Sequence, residues 1–221
     1  MMQQISGLYV IIDPDACAPR TAIHVARLAL EGGARAIQWR DKRRDKGDQL
    51  AEARTIAALC RVHHVPFIAN DHADLALAAG ADGVHLGQSD LPIAAVRPIV
   101  GARMIIGVST NTAEEALQAE AGGADYVAIG AVFPTSSKGV TRAANIDRIR
   151  DVRAAVRIPV VAIGGITTAN IGSVVAAGAD AAAVISAVCA AADPRAAAAE
   201  LAAAFDAALA ERRGSSPPTD H

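Results

Sequence analysis

The sequence of 221 residues has little cysteine, few aromatic residues and no excess of positive charge. Its three cysteines, Cys17, Cys60 and Cys189, lie far apart and predict neither a disulfide framework nor a zinc site. The formal net charge is −2 and no basic stripe is present, which argues against a nucleic-acid partner. No apolar run approaches the roughly 18 residues of a membrane span, and the first residues do not form a signal peptide. We therefore expect a reduced, cytoplasmic protein without a membrane partner.

Apolar residues are abundant, at 52% of the chain, and four stretches of them resemble one another. In each stretch a helix end is followed by a glycine, an alanine and an apolar strand. The four are GGARAIQWR (32–40), GADGVHLG (80–87), GGADYVAIG (122–130) and GADAAAVIS (178–186). Glycine suits this position because it adopts the left-handed backbone conformation after a helix without a Cβ clash.

Four further apolar strands lie in the intervals, at LYVIID (8–13), PFIAN (66–70), MIIGVS (104–109) and PVVAIGG (159–165). Such short strands rich in Val and Ile are typical of a parallel sheet that helices cover on both faces. Eight strands alternating with helices predict the α/β class and a single (β/α)8 TIM barrel over residues 1–213. The alternative, a doubly wound open sheet, would not need the four-fold recurrence. We predict a last helix from Asp193-Pro194 to about Arg213 and a disordered tail over residues 214–221.

Polar residues follow seven of the predicted strands, whereas the opposite strand ends carry mostly Gly-Ala-Asp or X-Pro entries. Active sites of such barrels lie at the carboxyl ends of the strands, so this asymmetry indicates one functional mouth. The polar segments are QWRDK (38–42), NDHAD (70–74), GQSD (87–90), GVST (107–110), GAVFPTSSKG (130–139), GGITTAN (164–170) and VISAV (184–188).

Asp71 and Asp90 end the neighbouring third and fourth strands. Adjacent strands lie about 4.8 Å apart, so the two carboxylates could reach one ion. Magnesium often takes one or two carboxylates together with water and substrate phosphate oxygens, and the pair therefore predicts a Mg²⁺ site. The alternative is that the two aspartates are independent N-caps, before HADLALAAG and LPIAAV.

Anion-binding features surround the same mouth. Gly164-Gly165 and Ile185-Ser186 follow the seventh and eighth strands, where such barrels commonly bind phosphate with backbone N–H groups. The segment TSSKG (135–139) adds hydroxyls and an ammonium, and Arg40 and Lys42 add two further cations. We expect His85, inside the fourth strand, to belong to the barrel interior, and Trp39 either to pack or to cover an aromatic ligand.

These segments together resemble thiamine phosphate synthase. The resemblance covers about residues 8–190 and rests on QWRDK, NDHADLALAAGADGVHLGQSDLP, GVSTNTAEEALQAEAGGADYVAIGAVFPTSSKG and IPVVAIGGITTANI. It implies a transferase of thiamine biosynthesis that joins a hydroxymethylpyrimidine diphosphate to a thiazole phosphate and releases thiamine phosphate and diphosphate. It further implies a dissociative substitution assisted by Mg²⁺.

The resemblance also implies a role for each site residue. Asp71 and Asp90 would hold Mg²⁺, and Lys138, Arg40 and Ser109 would act in catalysis. The pyrimidine diphosphate would contact Gln38, Trp39, Arg40, Asp41, Lys42, Asn70, Ser109 and Lys138. The thiazole phosphate would contact Thr135, Ser136, Ser137, Gly165, Ile185 and Ser186.

Three other functions stay open at this stage. A thiazole tautomerase relative shares the thiazole phosphate pocket but does not need the diphosphate machinery that Asp71, Asp90 and Lys138 represent. A non-catalytic thiazole phosphate binder would need no Mg²⁺, and a sugar-phosphate epimerase would not use the acidic pair. The partners expected are small-molecule substrates, and the sequence leaves room for a homo-oligomer.

Overall fold

The computed structural model describes residues 5–134 and 145–214, which form a closed barrel of eight parallel strands. Each strand pairs with the next along the chain, and β8 pairs with β1 to close the sheet. This closure confirms the predicted (β/α)8 barrel and rules out the open doubly wound sheet. The strands are β1 (Gly7–Ile12), β2 (Ala36–Trp39), β3 (Phe67–Asn70), β4 (Gly83–Leu86), β5 (Ile105–Thr110), β6 (Tyr126–Gly130), β7 (Val160–Ile163) and β8 (Ala181–Val184).

Helices surround the barrel, and α10 packs against both α2 and α8. In the described part of the chain they are α1 (Pro14–Cys17), α2 (Ala22–Glu31), α3 (Lys46–Val62), α4 (Ala73–Ala79), α5 (Ile93–Val100), α6 (Ala113–Ala121), α7 (Asp147–Ala155), α8 (Ile171–Ala176), α9 (Ser186–Cys189) and α10 (Pro194–Gly214). None of these helices has the length and apolar character that a membrane crossing requires.

The last helix begins as predicted, since the Asp193 side chain accepts hydrogen bonds from the backbone N–H groups of Arg195 and Ala196. It runs through Gly214, one residue beyond the prediction. The rest of the predicted tail, residues 215–221, lies outside the described residues.

The four-fold repeat has a structural explanation at the amino-terminal end of the barrel. The repeated glycines all have positive φ, at Gly33 (93°), Gly80 (69°), Gly123 (92°) and Gly178 (107°). The aspartates of three repeats each accept a backbone N–H from a strand. The pairs are Asp82 with Phe67, Asp125 with Ile106 and Asp180 with Val160, at 2.8–2.9 Å. These aspartates satisfy backbone donors at strand starts, so the repeat is structural.

Strand side chains alternate between two environments, as the pleat requires. One set points outward and packs under the helices, and Trp39 belongs to it. The other set fills the barrel interior, with Tyr9, Tyr126 and aliphatic residues forming a cluster of their own. The polar residues Gln38 and His85 are also buried, at 3% and 8% exposure. The barrel interior therefore has polar groups where it meets the carboxyl-end mouth.

Candidate active site

A cavity of about 680 Å³ opens at the carboxyl ends of the strands. Six of the residues predicted for substrate binding line it, namely Gln38, Arg40, Lys42, Asn70, Ser109 and Ile185. It is concave and contains a few placed polar groups, as small-molecule sites do. The structure thus brings together predicted residues from β2, β3, β5 and the end of β8.

The two aspartates of the predicted metal site do not cap helices. The N-cap of α4 is His72 and that of α5 is Pro92, so the N-cap alternative is wrong. Asp71 has a φ of 62°, a left-handed conformation that is uncommon for non-glycine residues and that aspartate adopts more readily than most. The Asp71 backbone N–H donates to the His85 carbonyl at 2.8 Å, which holds this turn against β4.

The carboxyls of Asp71 and Asp90 interact with each other. Burial raises the pKa of Asp90 above its ordinary value; a hydrogen bond from the Gly87 N–H lowers this pKa, whereas the neighbouring Asp71 raises it further. The Gly87 N–H lies 2.6 Å from Asp90 Oδ2. Two carboxylates that repel each other at one mouth favour a shared cation.

The residues present fit a hard divalent cation. Lys42 Nζ lies 3.3 Å from Asp71 Oδ2, so a positive charge already lies beside the acidic pair. Within residues 5–134 and 145–214 no group of three or more His, Cys, Asp or Glu side chains converges as a metal site. An ion held by Asp71 and Asp90 would therefore need water or substrate oxygens to complete its shell, as Mg²⁺ commonly does.

The loop after β2 is fixed by ion pairs. Arg40 Nη1 donates to Asp13 Oδ2, and Arg43 Nη1 lies 3.1 Å from Asp15 Oδ1. Arg44 bridges Asp41 Oδ2, at 2.5 Å, and Glu52 Oε1, at 3.0 Å. Helix α1, which starts next to Asp13, and helix α3 thereby hold the backbone that presents Arg40 and Lys42 to the cavity.

Two predicted contacts in this loop are wrong. The Trp39 side chain is 1% exposed and lies between the barrel and α3, where its Nε1 donates to Gln49 Oε1 at 3.0 Å. The alternation of β2 causes this, because Gln38 points into the barrel and the next residue must point out. The Asp41 carboxylate accepts from the backbone N–H groups of Arg43 and Arg44 instead of facing the cavity. Trp39 and Asp41 therefore support the loop and do not line the site.

A second cavity, of about 520 Å³, lies at the ends of β6, β7 and β8. Gly164, Gly165, Ile185 and Ser186 line it, and Ser186 begins the short helix α9. Gly165 has a φ of 63°, and a Cβ there would lie 2.5 Å from the Pro134 carbonyl oxygen. Exposed backbone at glycines and a following helix start are features that suit an anion. Thr135, Ser136, Ser137 and Lys138 lie outside the described residues.

The two cavities are adjacent. Ile163, Ala183 and Ile185 line both of them, so these three residues form a shared wall. One cavity has amides, hydroxyls, an imidazole and cations, and the other has glycines, aliphatic residues and one serine. The two cavities are thus neighbouring parts of one mouth.

Comparison with known proteins assigns the family. The family model for thiamine monophosphate synthase matches residues 8–188. The chain belongs to this family. It is accordingly an enzyme, a transferase of thiamine biosynthesis.

Relatives and solved structures agree with this family. A thiamine-phosphate synthase of Methanospirillum hungatei is 50% identical over 79% of this chain and 85% of the relative. One of Chlorobium limicola is 52% identical over 72% and 77% of the two chains. The structure of a thiamine phosphate pyrophosphorylase from Pyrococcus furiosus superposes with a TM-score of 0.84 at 41% identity, covering 92% of this chain and 96% of that one. The barrel is therefore the fold of the thiamine monophosphate synthase family.

Beyond the predicted residues, the site of this family member includes Tyr9, His85 and Tyr126, which also line the first cavity. His85 is a barrel-interior residue as expected, but its ring also hydrogen-bonds Ser109 at the mouth. A sequence signal for the tyrosines existed, because LYVIID and DYVAIG place a polar hydroxyl in strands that are otherwise apolar. A buried tyrosine hydroxyl usually has a hydrogen-bond partner, so such residues indicate a polar interior.

Proposed function

We propose that the chain condenses 4-amino-2-methyl-5-(diphosphooxymethyl)pyrimidine with 4-methyl-5-(2-phosphooxyethyl)thiazole to give thiamine phosphate and diphosphate. The observation that carries this proposal is the pair of adjacent cavities with the common wall of Ile163, Ala183 and Ile185. A reaction that joins two phosphorylated rings needs two anion-tolerant pockets that meet. The acidic pair beside the first pocket supports a diphosphate there, because carboxylates and phosphate oxygens share Mg²⁺ readily.

The first cavity takes the pyrimidine diphosphate. Gln38, Asn70 and Ser109 orient the ring, while Arg40 and Lys42 neutralise the diphosphate. Lys138 joins the cations on the strength of the family resemblance. These groups act by positioning and by charge stabilisation, and removing one preorganised donor of this kind typically costs on the order of 10²–10³ in rate.

Asp71 and Asp90 hold Mg²⁺ in this proposal. Their carboxylates interact with each other and with the Lys42 ammonium, which supports a cation-binding role. Bound there, the ion supplies Lewis-acid stabilisation to the leaving diphosphate oxygens.

The second cavity takes the thiazole phosphate, with Gly165, Ile185 and Ser186 at the phosphate and Thr135, Ser136 and Ser137 assigned there by the family resemblance. The pyrimidine methylene C–O bond breaks first, and its electron pair leaves with the diphosphate. The thiazole ring nitrogen then donates its lone pair to the methylene carbon and forms the C–N bond. No enzyme nucleophile is needed, and the chain's residues aim the two rings and neutralise the leaving group.

The test is formation of thiamine phosphate by the purified chain from both phosphorylated substrates, with Mg²⁺ in one reaction and a chelator in the other. We expect product only with Mg²⁺. Product in both reactions would overturn the metal assignment and leave the condensation standing. No product in either, with thiazole phosphate still bound in a calorimeter, would favour a tautomerase-like relative or a non-catalytic thiazole phosphate binder.

A further inference from the structure

A continuous row of five hydrogen-bonded side chains crosses the barrel interior below the first cavity. Gln38 Nε2 donates to Tyr9 Oη at 2.9 Å, and Tyr9 Oη lies 3.1 Å from Tyr126 Oη. Tyr126 Oη lies 2.9 Å from His85 Nδ1, and His85 Nε2 lies 2.9 Å from Ser109 Oγ. The two ends of the row, Gln38 and Ser109, both line the cavity and come from β2 and β5.

The two phenols at the middle of the row are fully buried. Tyr9 is 1% exposed and Tyr126 0%. Burial raises the pKa of both phenols well above the ordinary tyrosine value, so each keeps its proton at neutral pH. Each phenol oxygen therefore has one proton to donate and must find an acceptor for it, because buried polar groups are nearly always satisfied.

The proton of Tyr9 sets the direction of the row. Because the Tyr9 oxygen accepts from Gln38, its own proton goes to Tyr126, its other hydrogen-bond partner among the described residues. Tyr126 must then donate to His85 Nδ1, which leaves the imidazole proton on Nε2. That proton is donated to Ser109 Oγ, so the Ser109 hydroxyl is free to donate to a ligand in the cavity.

The two ends of the row are thereby linked. With Gln38 Nε2 turned to Tyr9, its Oε1 is the acceptor offered to the cavity, while Ser109 offers a donor. Turning the Gln38 amide over would reverse every bond in the row and make Ser109 an acceptor. The orientation of the Gln38 amide therefore determines whether the Ser109 hydroxyl proton points to the cavity or to His85.

We propose that Tyr9, Tyr126 and His85 are positioning residues, a relay that couples the orientation of the Gln38 amide to the direction of the Ser109 hydroxyl proton and so favours a ring with a donor at one edge and an acceptor at another. An aminopyrimidine has this pattern, with its exocyclic amine facing Gln38 Oε1 and a ring nitrogen facing Ser109. The ligand assignment rests on the proposed function; the direction of the relay does not. His85 belongs to the relay because its tautomer determines whether Ser109 accepts a proton from the imidazole or donates one to it.

The first test needs no substrate. Long-range ¹⁵N–¹H NMR on the ligand-free protein reports which ring nitrogen carries the proton in each of the six histidines. We expect the His85 proton on Nε2, with the signal assigned by its loss in His85→Asn. A proton on Nδ1 would overturn the relay direction, even in a protein that fails to form thiamine phosphate.

The second test compares hydroxyl deletions. Tyr126→Phe interrupts the row at its centre, so we expect a mixture of His85 tautomers and about a tenfold rise in KM for the pyrimidine diphosphate, with the thiazole phosphate KM within about twofold of wild type. Tyr9→Phe removes the proton that sets the direction but keeps the Tyr126–His85–Ser109 half, so we again expect a mixture of His85 tautomers, with a smaller rise in KM.

Thr110→Val is the matched control. Thr110 lies beside Ser109 on β5 and is buried, but its hydroxyl contacts the Ala128 carbonyl and not the row. We expect it to leave both KM values and the His85 tautomer unchanged. Equal rises of both KM values in Tyr126→Phe, or the same effect in Thr110→Val, would show general loosening of the barrel and overturn the relay. Absence of thiamine phosphate formation by the wild type would instead count against the proposed function alone.

Discussion

Lys42 Nζ lies 3.3 Å from Asp71 Oδ2, at the point where the loop after β2 meets the turn after β3. Asp71 in turn interacts with the Asp90 carboxyl, whose pKa is raised by burial and by this neighbour, and lowered by the Lys42 charge. Three strand ends thus share one electrostatic unit of two carboxylates and one ammonium. Its net charge is negative, which is the condition for attracting a divalent cation.

Removing one carboxylate should weaken the cation site and spare the other pocket. In Asp71→Asn we expect a loss of Mg²⁺ affinity and a fall in turnover of about 10²-fold or more, because a neutral amide is a poorer ligand for a hard cation. Thiazole phosphate binding should remain within about twofold of wild type. Isothermal calorimetry with each ligand separates the two effects, and wild-type turnover in the variant would refute the metal assignment.

Removing the Lys42 ammonium should instead strengthen binding of the metal ion when no substrate is present. In Lys42→Met we expect Mn²⁺, measured by electron paramagnetic resonance without substrate, to bind about two- to fivefold more tightly, because a competing positive charge is gone. The gain is modest because the Lys42 side chain is 55% exposed and solvent screens its charge. Turnover should nevertheless fall, since Lys42 also faces the diphosphate. Weaker Mn²⁺ binding in Lys42→Met would contradict competition between the two cations.

The barrel and the order of its strand ends could be predicted because the residues that indicate them lie close together in the sequence. Each left-handed glycine, such as Gly80, ends one helix within a few residues of the next strand, and the carboxyl end of every strand must reach the same mouth. The proximity of Asp71 and Asp90 could be predicted for the same reason, because Asp71 directly follows β3 and Asp90 lies in the loop after the neighbouring β4.

The errors and omissions arise from relations that short segments do not contain. In QWRDK the alternation of the strand places Gln38 inside the barrel and Trp39 outside it. The sequence of this segment does not show at which residue the alternation ends. The contacts of Tyr126 with Tyr9 and His85 join residues 117 and 41 positions apart. These contacts depend on which strands lie opposite one another in the closed barrel. The wall shared by the two cavities depends on the same arrangement, because its residues lie on β7, on β8 and directly after β8.

Adding a side chain at Gly165 should damage the thiazole phosphate pocket selectively. The alanine Cβ in Gly165→Ala would lie 2.5 Å from the Pro134 oxygen and 2.8 Å from Phe133 Cβ, so the cavity wall must shift. We expect the thiazole phosphate KM to rise about tenfold or more, with little change for the pyrimidine diphosphate.

Gly101→Ala is the matched control. Gly101 also has positive φ, at 79°, with ψ at 175°, a combination that almost only glycine adopts. Its Cβ would meet no atom within 4 Å, so this variant should lose about 1–3 kcal/mol of stability and no affinity. Equal KM effects in both variants would contradict the pocket assignment.

Trp39→Phe should affect stability and not substrate recognition. The indole is buried between barrel and α3, and losing its N–H leaves the Gln49 oxygen without its donor. We expect a loss of about 1–3 kcal/mol in the free energy of unfolding, measured by denaturant titration, with both KM values within about twofold of wild type. Gln38→Ala, one residue earlier but inside the barrel, should raise the pyrimidine diphosphate KM instead. A selective KM rise in Trp39→Phe would return Trp39 to the site.

The Asp41 carboxylate should make stability depend on pH. Burial of this carboxyl opposes its ionisation, but hydrogen bonds from the backbone of Arg43 and from the backbone and side chain of Arg44 outweigh burial and lower its pKa. A group whose pKa is lowered on folding stabilises the protein fully above its unfolded value, near 3.8, and this contribution is lost as the pH falls through the lower folded value. Asp41→Asn should therefore be less stable than wild type by about 1–2 kcal/mol at neutral pH, and the difference should vanish in strong acid. Denaturant midpoints of both proteins across this pH range measure it, and a difference independent of pH would show that the charge of Asp41 does not hold the loop that presents Arg40 and Lys42.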